Sequence, residues 1–153
     1  VLKLLTDKKL KFAAAESCTG GMVSSAITDL PGSSEVFLYG AVTYANSAKM
    51  SALSVSAETL KKHGAVSEET AIEMARGARL AAKCDIGVST TGIAGPGGGT
   101  PEKPVGTVYI AISTKKGDRA LKLFLPGDRA RVRKTAVLNV YDLIRQTILS
   151  GNY

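Results

Sequence analysis

Two hydrophobic patterns alternate along the chain: short apolar runs, and longer stretches with apolar residues three and four apart. The first suits buried strands and the second amphipathic helices. Residues 1–9, with Leu2 and Leu5 apolar, read as the end of a helix. Lys11–Ala15 follows as a strand, then Gly20–Asp29 as a helix closed by Pro31-Gly32. Phe37–Tyr44 is rich in β-formers and predicts a strand with Gly40 inside it. Ala48–Leu53 reads as a short helix capped from Asn46-Ser47, and Ser56–His63 as another, ended by Gly64. Ser67–Lys83 has the clearest helix signals: Ser67 at the cap, Glu68 and Glu69 at the positive end, Arg76, Arg79 and Lys83 towards the negative end. Ile86–Thr90 predicts a strand and Thr91–Pro104 a long Gly/Pro loop. Val105–Ser113 and Ala120–Leu125 form a hairpin turning at Lys115–Asp118. Arg129–Leu149 is the last helix, with Val137, Val140, Ile144 and Ile148 on one face.

Strands that alternate with helices and then run into a hairpin predict an α/β layer fold with a mixed sheet. At 153 residues and 44% hydrophobic, one domain over residues 1–153 with a full core is expected. No apolar run approaches ~18 residues, and no charged-then-apolar leader opens the chain, so neither a membrane span nor an export signal is expected. Cys18 and Cys84 are the only cysteines, which fits a reduced, cytoplasmic setting. With His63 the only histidine and no CxxC pair, no metal and no cofactor is expected.

The net charge of +7 is uneven: residues 115–134 hold eight Lys and Arg against two Asp. Such a block points to nucleic acid, to a phosphorylated small molecule, or to a solvated face. Nucleic acid is the weaker option, because aromatics are 5%, Trp is absent and no RRM, KH or finger pattern occurs.

Candidate chemistry centres on Glu16-Ser17-Cys18-Thr19-Gly20-Gly21, between the first strand and the helix after it. Two glycines allow a tight turn, and the first free N–H groups of the helix would favour an anion. Ser17 then stands at the lip of that site as a candidate nucleophile; alternatively, Ser17 or Thr19 is only an N-cap. A serine nucleophile needs a base, and in place of histidine a lysine can serve. An ordinary lysine has a pKa of ~10.4, and a useful base one near ~7–8, a gap of about 3–5 kcal/mol. A helix N-terminus supplies only ~0.3–1 kcal/mol of that, so the base must be buried. Lys49 suits this, with Tyr44 to orient it or relay a proton; the alternative is an exposed lysine on a short helix. Cys18 is a rival nucleophile if a helix start lowers its pKa.

Ala15-Glu16-Ser17-Cys18-Thr19-Gly20-Gly21 resembles the AESCTGG signature of the CinA carboxy-terminal domain, the nicotinamide-nucleotide amidohydrolase family. Further stretches match in family order: Pro31–Ser34, Val42–Asn46 through Lys49, His63–Ser67, Thr91–Pro96, Lys103–Val108, and Gly127-Asp128-Arg129 with Arg133. Together they cover residues 10–145 and are highly specific. The resemblance implies a three-layer α/β/α sandwich with a mixed, mostly parallel sheet and one antiparallel strand. It implies hydrolysis of nicotinamide mononucleotide to nicotinic acid mononucleotide and ammonia, without a metal. It makes Ser17 the nucleophile, Lys49 the base and Tyr44 its helper. It also implies a homo-oligomer, a dimer or higher. A non-catalytic nucleotide-binding module is the other reading. For the substrate, Arg129 and Arg133 share a helix face and suit the phosphate. Backbone N–H groups of Thr19, Gly20 and Gly21, or of Gly92, Ile93 and Ala94, suit an oxyanion, with Thr91 beside them at a strand end.

Overall fold

The computed structural model describes residues 1–153. One five-stranded sheet organises it, in the order β2-β1-β3-β4-β5. The strands are β1 (Phe12–Glu16), β2 (Phe37–Val42), β3 (Ile86–Gly92), β4 (Thr107–Thr114) and β5 (Gly117–Phe124). β1 pairs in parallel with β2 and β3, and β4 pairs antiparallel with both β3 and β5. Four strands therefore run one way and β4 alone runs against them.

Helices cover both faces. Packed on one are α1 (Leu2–Lys8), α2 (Met22–Thr28) and α6 (Arg129–Leu149); on the other are α3 (Asn46–Leu53), α4 (Ala57–His63) and α5 (Glu68–Ala82). The strand alternation sets the division. Phe12 and Ala14 of β1 face the core under α6, while Ala13 and Ala15 face Met74 and Ala78 of α5. The α5 side is built from small residues, and the helix lies almost on the backbone. A Cβ on Gly87 would stand 2.0 Å from the Ala75 carbonyl oxygen, so only glycine fits. The three-layer sandwich that the motifs implied is thus the fold observed.

Caps fix where the helices begin. The Ser56, Ser67 and Asp128 side chains accept N–H bonds at the starts of α4, α5 and α6. α6 starts and stops where its periodicity indicated, at Arg129 and Leu149. Other ends differ. β2 stops at Val42, because Thr43 and Tyr44 already turn towards α3, and a 3-10 turn at Ser33–Glu35 was not foreseen. β3 extends to Gly92, since β4 pairs beyond Thr90 and draws Thr91 and Gly92 into the sheet. No helix is long and apolar enough to cross a membrane.

The basic block does not form one surface. Lys116 reaches the Gly151 carbonyl beyond the end of α6, while Arg129 and Arg133 lie at its start. A 21-residue helix separates them by roughly 31 Å.

Candidate active site

The parallel strands β1 and β2 end side by side, and the turn after β1 faces the turn after β2. This carboxyl end of the sheet is where open α/β folds place their sites. Ser17 follows β1, and its N–H donates to the Thr90 carbonyl of β3. Lys49 lies in the first turns of α3 and reaches back across the gap. Its Nζ stands 3.2 Å from Ser17 Oγ, 2.8 Å from the Thr43 carbonyl oxygen and 3.1 Å from that of Tyr44. The residue is only 1% exposed, so the reading of Lys49 as a surface lysine fails. Burial lowers its pKa from the ordinary 10.5.

These three neighbours suit both protonation states. As an ammonium, Nζ has three N–H donors for three oxygens. As a neutral amine, it keeps two donors for the two carbonyls and turns its lone pair to the Ser17 hydroxyl. Losing the proton therefore leaves no carbonyl unpaired and turns a lone pair towards the Ser17 hydroxyl.

Tyr44 differs from expectation. Its backbone carbonyl, not its phenol, orients Lys49. The ring is 63% exposed, and its hydroxyl accepts from Arg129 Nη2 at 3.4 Å. Arg129 also donates from Nη1 to the Gly95 carbonyl at 2.9 Å, joining α6, the Gly/Pro loop and the turn after β2. Arg133, expected to bind substrate, donates from Nε to the Cys18 carbonyl and from Nη2 to the Thr19 carbonyl. It clamps the serine turn.

The anion expected at the start of α2 is supplied by the protein. Neither Ser17 nor Thr19 is the N-cap; that position is Gly21, with φ 98° and no side-chain bond. The Glu16 carboxylate reaches over instead, accepting the N–H groups of Gly21, Val23 and Ser24. It also accepts the hydroxyls of Thr19 and Ser24. The sequence reading gave Glu16 no role. Its signal was there: a carboxylate ending the otherwise apolar Phe12–Ala15 strand, just before a helix.

Two threonine side chains are committed inside the fold. The Thr19 hydroxyl is held between Glu16 and Thr90, and the Thr91 hydroxyl donates to the Ala65 carbonyl at 2.6 Å. Both residues are buried. Among the backbone donors, Gly20 N–H goes to the Ser17 carbonyl, Gly21 N–H to Glu16, and Ile93 N–H to the Thr107 carbonyl. Gly92 ends β3 opposite Val108, and Ala94 N–H has no acceptor in another residue. Cys18 is buried too, which pushes its thiol up to about 11 and makes it a poor thiolate source. No group of three His, Cys, Asp or Glu side chains is gathered anywhere in the fold.

The sequence profile of the CinA C-terminal domain matches residues 1–148. The chain belongs to the CinA C-terminal domain family. Its relatives include a protein of Acetivibrio thermocellus named "Putative competence-damage inducible protein", 52% identical over 96% of this chain. A Clostridium acetobutylicum protein of the same name is 54% identical over 96%. The CinA domain described here spans only 36% of the length of each. Among crystal structures, the competence/damage inducible protein CihA from Agrobacterium tumefaciens superposes with a TM-score of 0.92 at 39% identity. That match covers 95% of this chain and 89% of the other. The competence damage-inducible protein A (ComA) from Klebsiella pneumoniae gives 0.93 at 32%, covering 96% and 91%.

Proposed function

We propose that this CinA domain is an amidohydrolase that converts nicotinamide mononucleotide to nicotinic acid mononucleotide and ammonia through Ser17 and Lys49. The observation that carries the reading is the buried amine 3.2 Å from the Ser17 hydroxyl. The family resemblance of the motifs supplies the substrate. In this reading Lys49 takes the hydroxyl proton as Ser17 Oγ attacks the carboxamide carbon. The tetrahedral intermediate collapses, and Lys49 returns the proton to the departing ammonia. Water, deprotonated by the same amine, then attacks the acyl-serine ester; as the ester C–O bond breaks, Lys49 returns that proton to Ser17 Oγ and the acid is released.

Arg129 supports a phosphorylated substrate. A guanidinium has five N–H donors, and its contacts to Gly95 and Tyr44 leave others for an anion. It is exposed at the mouth of the site, tied to Tyr44, whose carbonyl touches the base. Arg133 likewise keeps three N–H donors beyond its contacts to Cys18 and Thr19, so the pair shares the phosphate role in this reading.

The test is ammonia release from nicotinamide mononucleotide, nicotinamide riboside and nicotinamide at equal concentration. The mononucleotide is expected to exceed the other two by at least ~10-fold in kcat/KM, since a charge-assisted contact contributes roughly 1.5–3 kcal/mol. Arg129→Ala should erase most of that preference. Equal turnover of all three would overturn the phosphate assignment, and no turnover of any would overturn the activity.

A further inference from the structure

Glu16 is fully buried, yet its carboxylate is met by no cation. Five N–H and O–H donors surround it, from residues 19, 21, 23 and 24. A buried carboxylate so fully paired is a rigid post. It also empties the start of α2 of donors, because Met22 N–H is taken by the Thr19 carbonyl.

The remaining amides of the turn can be assigned one by one. Ser17 N–H is bound to Thr90 and Gly20 N–H to Ser17. That leaves Thr19 N–H, two residues after the nucleophile, with no acceptor, while Cys18 N–H turns to its own buried thiol. In a trans peptide the carbonyl and the next N–H point in opposite directions. Arg133 holds the Cys18 carbonyl on the α6 side, so the Thr19 N–H is turned away from α6.

We infer that Glu16 is a positioning residue for the hydrolysis, resting on the Ser17–Lys49 reading above. Its carboxylate serves as an internal anion that saturates the α2 start and locks the turn. The Thr19 amide is then the donor of this turn left to meet the negative charge that develops on the substrate carbonyl oxygen. Such donors act on the transition state more than on the bound substrate. Disturbing the post should therefore lower a maximal rate and leave half-saturation alone.

The experiment uses a fluorophosphonate, which phosphonylates an activated serine with loss of fluoride and needs no knowledge of the substrate. Labelling of Ser17 is followed by intact mass against reagent concentration. Wild type should label, and Lys49→Ala should label at least ~10²-fold more slowly; equal labelling would overturn the Ser17–Lys49 reading and this inference with it. Glu16→Gln keeps the shape but turns an amide donor onto backbone donors. It should lower the maximal labelling rate by about 10²-fold, the range for losing an oxyanion donor, with half-saturation within about twofold. Thr19→Val, which removes one bond to Glu16, should lower the rate by about 10-fold, and Thr19→Ser should restore most of it. If Glu16→Gln fails to fold, the Thr19 pair decides. A folded variant, Glu16→Gln or Thr19→Val, that labels within twofold of a Lys49-dependent wild type would overturn the positioning role alone.

Discussion

A lysine can act as a base only after it loses its proton, and the surroundings of Lys49 say when. Desolvation lowers its pKa from 10.5, while the Thr43 and Tyr44 carbonyls stay paired in either state. Turnover should therefore rise with pH as Lys49 deprotonates, with a midpoint below 10.5. Stability follows the same sign. The folded state holds this proton less tightly than the unfolded chain, so the cost of burying the ammonium is present below the folded pKa and gone above 10.5. Because the Tyr44 carbonyl does the orienting, Tyr44→Phe should leave the rising midpoint of the kcat–pH profile unchanged. A midpoint moved by one unit or more would show that the phenol reaches the base. At this scale the meeting of Lys49 with Ser17 was legible, because both stand in matched motifs. The duties of Glu16, Arg133, Thr19 and Thr91 were not. Arg133 and Thr91 bond backbone carbonyls brought near by folding, and Thr19 and Glu16 bond each other inside the turn, pairings that no spacing of residues singles out.

The elements themselves were largely readable, and the reasons differ. α6 showed its apolar face in one 21-residue run, so its extent was visible locally, and the structure adds the Asp128 cap. Asp128→Ala should cost about 1 kcal/mol, read as a lower urea midpoint with unchanged slope. Strand ends were less legible because a neighbour sets them: β4 pulls Thr91 and Gly92 into β3. The approach of α5 to the sheet was also invisible, being a contact between distant segments. It makes a sharp prediction at Gly87, where an added methyl group would overlap the Ala75 carbonyl. Gly87→Ala should lose about 3 kcal/mol or more by urea denaturation. A loss under about 0.5 kcal/mol would mean that α5 does not sit so close.

For the whole molecule, the sheet brings three separate segments to one edge. β1 delivers Ser17, the turn after β2 delivers the carbonyls that hold Lys49, and α6 delivers Arg129 and Arg133. Linear charge was a poor guide here: the run from 115 to 134 divides between opposite ends of α6. The family motifs were the better guide, since they sampled all of these segments. The measurement that bears hardest on the account is kcat for ammonia release from nicotinamide mononucleotide by wild type, Ser17→Ala and Lys49→Ala, each first shown to be folded by circular dichroism. Wild type is expected to turn over, and each variant to fall by at least ~10³-fold, as when a member of a nucleophile–base unit is removed. A folded Lys49→Ala protein that releases ammonia at the wild-type rate would contradict it.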